Sequence, residues 1–233
     1  MTNAETFLNI FSGAKKKYGY CYDFNPETEE KLTVEKDGLI PIQDHLDGKK
    51  LCGRSPVDEK TKEVSWIGID IDIRIKPAEF ASKIWRDLGW QYDCIMTPNK
   101  KWRVIEFLDE PLHVEEAHDR AKKLEARIEK ELLIKCDTVP TIPTDAGAVG
   151  RWLYLPYHFK HDVCYTPDGR PLSLDKFIFR HKYRKHLPIV AAVGMLEGAK
   201  GGGRNKGFLA VQLYKTLYDV DVSLEDLNNV IDD

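Results

Sequence analysis

Long apolar runs are missing from this sequence of 233 residues. The longest apolar stretch with small residues, Ile189 to Leu196, falls far short of the ~20 residues a bilayer-spanning helix needs, so no membrane association is expected. The start, MTNAETFLNIFSGAKKKYGY, lacks a basic opening followed by an apolar segment; no secretory leader is expected and the protein reads as cytoplasmic. Five cysteines (Cys21, Cys52, Cys94, Cys136 and Cys164) lie far apart with no C-x-x-C among them, which argues against a zinc ribbon or a disulfide framework and leaves reduced thiols as the expectation. Internal repeats and low-complexity tracts are absent. So is a P-loop: Gly201-Gly202-Gly203-Arg204-Asn205-Lys206 resembles an anion-binding helix start, but Lys206 is not followed by Ser or Thr, and ATP hydrolysis is not indicated.

What is present is an ordinary globular composition. Hydrophobic residues make up 42% and charged residues 31%, with a mean hydropathy of -0.44, too apolar for disorder, and the length suffices for one large core or two small ones. The net charge of -3 excludes little, but its distribution is uneven. Asp23 to Asp72 holds 13 acids and 7 bases, whereas Arg180 to Lys206 holds 7 bases against Glu197 alone. A mildly acidic chain with one basic segment can grip a polyanion locally.

The pattern predicts alternating elements. Residues 7–22 read as a short helix leading into a strand, and 25–62 as a turn-rich charged region. Strands are expected at 64–73, 92–97, 102–108 and 151–155, and helices at 78–88 and 113–133, the latter with Ala117, Ala121, Leu124, Ile128 and Leu132 on one face. Ser173 can cap a helix over 174–184, and a helical segment follows at 205–218. Strands alternating with two helices imply an α+β fold: an RRM-like or ferredoxin-like antiparallel sheet as the catalytic core, with an additional N-terminal α/β unit and a helical C-terminal segment. The expected division is 1–172 for the catalytic domain and 173–233 for the helical region, which reads as the start of something longer.

The most informative residues are Trp66-Ile67-Gly68-Ile69-Asp70-Ile71-Asp72-Ile73. On a strand the isoleucines share one side while Gly68, Asp70 and Asp72 share the other. Two carboxylates two residues apart, roughly 6.5–7 Å along the strand, can converge on one divalent cation. Oxygen donors alone suit Mg²⁺ or Mn²⁺ better than zinc. Acids that simply face water on an amphipathic strand would give the same pattern. Asp137 is the natural third donor, with Asp145 competing for the place; either would also serve as a cap or turn residue.

In this arrangement the chain resembles the catalytic module of archaeo-eukaryotic-type primases, in particular the primase–polymerases of phages, plasmids and mobile elements. Three blocks match in order. Residues 66–73 are similar to the first motif, an apolar strand ending in Asp-x-Asp. Thr97-Pro98-Asn99-Lys100-Lys101-Trp102-Arg103-Val104 is similar to the second, and Cys136-Asp137 followed by Arg151-Trp152-Leu153-Tyr154-Leu155-Pro156-Tyr157 to the third. Further likeness runs over 42–58, 169–177 and 203–205. One departure stands out: Arg103 occupies the place of the family's usual His, and its turn is basic rather than glycine-rich. Arg can grip phosphate bidentately but cannot shuttle a proton.

The resemblance implies template-directed nucleotidyl transfer in replication, with primers made on single-stranded DNA from nucleoside triphosphates. It implies two divalent cations, Mg²⁺ or Mn²⁺, held by Asp70, Asp72 and Asp137. Arg103, Lys101, Lys100 and Arg151 would bind the nucleotide, with His158 and Lys160 as further candidates within reach of substrate or template. A helicase, fused or separate, is a partner the resemblance allows, and a phage-encoded chain would work in the host cytoplasm. The basic stretch with Arg180, Lys182, Arg184 and Lys185 suits a DNA backbone, and would look the same as a solvated helix face. Two other readings remain open: a metal-dependent nucleotide-sugar glycosyltransferase, which also places Asp-x-Asp after an apolar strand, and a non-catalytic nucleic-acid-binding relic of the primase fold.

Overall fold

Isoleucine at every second position from Ile67 to Ile71 gives one strand a wholly apolar face, and all three side chains are fully buried. The computed structural model of the protein describes residues 2–24, 31–87, 92–143, 148–160, 162–166 and 169–182. The chain divides into two units, Met1–Leu174 and Asp175–Asp233. In the first unit the strand of isoleucines is β4 (Glu63–Ile71). It is followed by α3 (Pro77–Asp87), β5 (Tyr92–Met96), β6 (Trp102–His113), α4 (Val114–Leu132) and β7 (Cys136–Val139). With a short β9 (Cys164–Tyr165) these strands form an antiparallel sheet in the order β7-β4-β6-β5-β9. The βαββαβ succession with the first strand between the fourth and third is the ferredoxin-like arrangement, so the α+β expectation holds.

The isoleucine face receives both helices. Ala117, Ala121, Leu124 and Ile128 of α4 and Phe80, Ala81 and Ile84 of α3 are buried in one cluster with Ile67, Ile69, Ile71, Val104 and Trp102. Phe80 stacks on Trp102 at 4.4 Å between ring centroids, and the Trp102 indole N–H donates to the Ile75 carbonyl at 3.1 Å. Small alanines let α4 approach the sheet closely, while the large rings fill the other end. Glu106 places a carboxylate on this face, and Arg120 of α4 meets it as a charge-assisted pair.

The region 25–62, expected as turns, contains more order than its glycines, prolines and charges suggest. After α1 (Asn3–Ile10), β1 (Lys17–Phe24) pairs with β2 (Lys31–Asp37) and β3 (Leu51–Arg54), with α2 (Ile42–Leu46) between the last two. Glu35, Lys36 and Asp37 of β2 are solvent-exposed on an edge strand, which is why composition alone reads as loop. A second departure concerns β8 (Leu153–Tyr154): it pairs with β3 and so completes a second antiparallel sheet, β2-β1-β3-β8. The strand expected at 151–155 therefore belongs to the N-terminal sheet. Arg54 is buried and donates to the carbonyls of Leu8, Phe11, Gly13 and Ala14, tying down the end of α1. In the second unit, the remainder of α5 (Leu174–Lys182) is what the structure describes; the helix expected at 205–218 lies outside the described residues.

His45 of α2 is fully buried, and both ring nitrogens are engaged: Nδ1 accepts from the Cys52 amide at 3.1 Å, and Nε2 lies 2.9 Å from the Pro156 carbonyl. A ring that accepts at Nδ1 and donates at Nε2 is neutral. Burial pushes its pKa from 6.5 down to about 4, with the nearby His158 acting in the same direction. Between those values the unfolded chain binds a proton that the folded protein excludes, so stability is lost as pH falls from about 6.5 toward 4. Urea denaturation across this window should show the wild type losing up to about 3 kcal/mol more than His45→Gln. Parallel pH profiles for the two proteins would contradict the assignment.

Candidate active site

The face of β4 opposite the isoleucines carries Gly68 and Asp70, and Asp72 follows just past the strand end. Register decides what joins them. Asp70 has Arg103 of β6 as its cross-strand partner on one side and Asp137 of β7 on the other. Three of the residues singled out from the sequence thus lie in one row across adjacent strands. Directly opposed residues of an antiparallel pair have Cβ atoms roughly 4.5–5.5 Å apart, so Asp70 and Asp137 face each other as like charges.

Bases offset that repulsion, one for each acid. Arg103 donates to Asp70 Oδ1 from Nε at 3.3 Å and from Nη2 at 3.1 Å. Lys101 Nζ lies 3.2 Å from Asp72 Oδ1, and Arg151 Nη1 lies 3.2 Å from Asp137 Oδ1. The pairs differ in burial. The Arg103 side chain is 5% exposed and its third bond, from Nη1 to the Tyr154 carbonyl, is 2.6 Å. Those of Arg151 and Asp137 are 61% and 76% exposed, and that of Asp72 is 74% exposed. Arg103 is therefore a fixed internal cation, whereas Lys101 and Arg151 hold their carboxylates at the surface.

The N-terminal sheet shapes this row. Leu153 of β8 packs onto Gly68, where an added Cβ would lie 2.7 Å from Leu153 Cδ1 and 2.9 Å from Ile105 Cδ1. Glycine at this strand position permits the close approach of β8, and that approach brings the Tyr154 carbonyl to Arg103. Further along the row, Ile95 of β5 is the partner of Arg103, and Cys164 of β9 is the partner of Ile95. Cys164 donates from Sγ to the buried Asp93 at 3.3 Å.

Among the described residues no three Asp, Glu, His or Cys side chains are gathered closely enough to enclose a cation as they stand, because each acid is turned to its base. The donor set nonetheless suits a hard divalent ion: all ligands would be carboxylate oxygens, two acids sit on opposed backbone positions, and the exposed side chains are open to rotation.

The remaining candidates are placed as follows. Lys100 is exposed in the turn between β5 and β6 with a left-handed φ of 60°, and Thr97 braces that turn through bonds to Lys101 N and Asn99. The His158 ring packs against His45 and Phe159, with burial lowering its pKa, and Lys160 is exposed in the turn that follows. Arg180 is a buried residue of α5 rather than a solvent-facing one. The Lys182 side chain, Arg184, Lys185 and Asp145 lie outside the described residues. The Tyr154 carbonyl was not foreseeable, since a backbone acceptor leaves no mark in the sequence; nor was the contact of Asp93 with Cys164, which depends on register.

No family model matches the chain, and no curated protein sequence matches it. Among solved structures, it is similar to the polymerase domain of ligase D from Mycobacterium tuberculosis, determined in complex with DNA. The identity there is 13% over 78% of this chain and 85% of that chain, with a TM-score of 0.44. It is also similar to the primase RepB′, at 10% identity over 99% of this chain and 86% of that chain, with a TM-score of 0.38.

The division into a fixed and two surface bases has a measurable consequence. Arg103→Met removes three hydrogen bonds and leaves Asp70 facing Asp137, and should cost more than about 2 kcal/mol of stability. Arg151→Ala and Lys101→Ala remove solvent-exposed pairs and should cost less than about 1 kcal/mol each. Guanidinium denaturation of the three variants checks the ranking; equal losses would refute it.

Proposed function

We propose that the protein is a metal-dependent nucleotidyltransferase that makes primers on a single-stranded DNA template from nucleoside triphosphates. The observation that supports this reading is the row Asp137–Asp70–Arg103, with Asp72 just past the end of β4. Oxygen ligands at this spacing, beside cations that can meet phosphate, are what in-line transfer of a nucleotidyl group needs. Two Mg²⁺ or Mn²⁺ ions bound by Asp70, Asp72 and Asp137 would activate a 3′-hydroxyl and neutralise the triphosphate and the leaving pyrophosphate.

The chain's own residues divide the remaining work. Arg103, anchored on the Tyr154 carbonyl, orients Asp70 and keeps Asp70 and Asp137 compatible in neighbouring strands. Its burial makes this positioning role fit better than the direct grip on phosphate that the resemblance implies. Lys101 and Arg151 are tethered to acids at the surface, so their charges can pass to phosphate oxygens when those acids turn to cations. Lys100 in the adjoining turn adds positive charge at the same edge.

A nucleotide-sugar transferase would need a parallel nucleotide-binding half ahead of Asp70. The described residues there form β1, β2 and β3, all antiparallel. A non-catalytic relic would have no reason to keep three acids at opposed or alternating positions.

Incubation with a single-stranded template, labelled nucleoside triphosphates and Mg²⁺ or Mn²⁺ should yield primers. Asp70→Ala, Asp72→Ala and Asp137→Ala should each lower the yield at least about 100-fold while the protein still folds. Primers made equally well by these variants, or DNA binding without synthesis in either metal, would overturn the reading.

A further inference from the structure

Trp152 sits between Arg151 and β8, and the two strands beneath it have given up their side chains. Gly19 of β1 and Gly53 of β3 are cross-strand partners. A Cβ at Gly19 would lie 2.3 Å from Trp152 Cδ2 and Cε3 and 2.4 Å from Cε2; one at Gly53 would lie 2.2 Å from Cε3. Near-equal distances to three atoms of the six-membered ring place the indole face-on over Gly19, with Cε3 reaching Gly53 as well. Glycine inside a strand weakens it, and two opposed glycines make a flat seat for one ring. Tyr154 meets the indole edge-on at 5.0 Å, fixing its plane.

Trp152 is only partly buried and borders an open cavity of about 550 Å³ together with Arg151, Thr141 and Glu35. The cavity therefore offers an immobilised aromatic wall, a guanidinium, the Thr141 hydroxyl, which accepts from the Arg151 amide, and the Glu35 carboxylate, which is paired with Lys17. Arg151 also reaches Asp137 at 3.2 Å, so an occupant of the cavity would adjoin the acid row. A flat ring with polar edges and an attached phosphate is the chemistry that fits all of these groups.

We infer that Trp152 is a stacking platform for a nucleobase, seated on Gly19 and Gly53, with Arg151 taking the phosphate of the same nucleotide. The inference rests on the nucleotidyl-transfer reading and deepens it by assigning a base subsite. The base belongs either to the DNA strand or to the incoming triphosphate, and the ring chemistry is shared.

The test is binding, measured without synthesis, to an oligothymidylate, to an abasic strand of equal length and to a nucleoside triphosphate. Trp152→Leu fills the glycine seat without a ring and should weaken a base-bearing probe roughly 5- to 150-fold while leaving the abasic strand unchanged. Trp152→Phe should retain most of the affinity. A loss confined to the oligonucleotide assigns the platform to the strand, and one confined to the triphosphate assigns it to the incoming nucleotide. Should the leucine variant fail to fold, the emission of wild type minus Trp152→Phe should be quenched by the base-bearing probe and not by the abasic strand. Unchanged affinities, or a difference emission that no probe quenches, would overturn the platform. If such a protein still made primers, the platform alone would fall; stacking retained in a protein that made none would count only against nucleotidyl transfer.

Discussion

Two aspartates of adjacent strands, Asp70 and Asp137, stand directly opposite each other, and the organisation of the site follows from that opposition. Like charges at facing positions of a ladder are destabilising, and here no intervening residue separates them. The compensation comes from the same row: Arg103, one strand further along, brings its guanidinium to Asp70. A buried guanidinium is itself costly unless it is paired and hydrogen-bonded, and the Tyr154 carbonyl engages the nitrogen that Asp70 leaves over. Because β8 pairs with the N-terminal sheet, that carbonyl is supplied by a different layer from the acids. The two sheets of the first unit are thus joined at the point where charge is concentrated, and Gly68 is the residue that lets them approach.

This arrangement sorts the basic residues by mobility. Arg103 is locked by three hydrogen bonds, whereas Lys101 and Arg151 each hold one exposed carboxylate. Surface pairs of the second kind contribute little to stability and exchange partners readily. A site of this kind is neutralised in its resting form by its own side chains, and the same cations are at hand when carboxylates turn elsewhere. Trp152 extends the pattern outward: the residue after Arg151 presents an aromatic wall to the cavity that Arg151 borders.

The five-stranded sheet was legible in the sequence because its signals are local. Alternating isoleucines specify the buried face of β4, and the spacing of Ala117, Ala121, Leu124 and Ile128 specifies the helix that covers it. Asp70 and Asp72 follow from the same alternation. Asp137 stands out in the sequence by its place after the long helix and Arg103 through the resemblance, but the row they share depends on strand register, which no local pattern encodes. The order within 25–62 was hidden by charge, since β2 is an exposed edge strand whose residues read as a solvated loop. The placement of β8 was hidden for another reason: a two-residue strand gives no hint of which sheet it will join.

The central claim is that Asp70 and Asp137 converge on a divalent cation, with Asp72 beside them. Anomalous diffraction from crystals soaked in manganese tests it most directly. The account predicts manganese bonded to carboxylate oxygens of both Asp70 and Asp137, with Arg151 turned away from Asp137. Carboxylates still held by Arg103 and Arg151 alone, with manganese bound elsewhere or not at all, would contradict it.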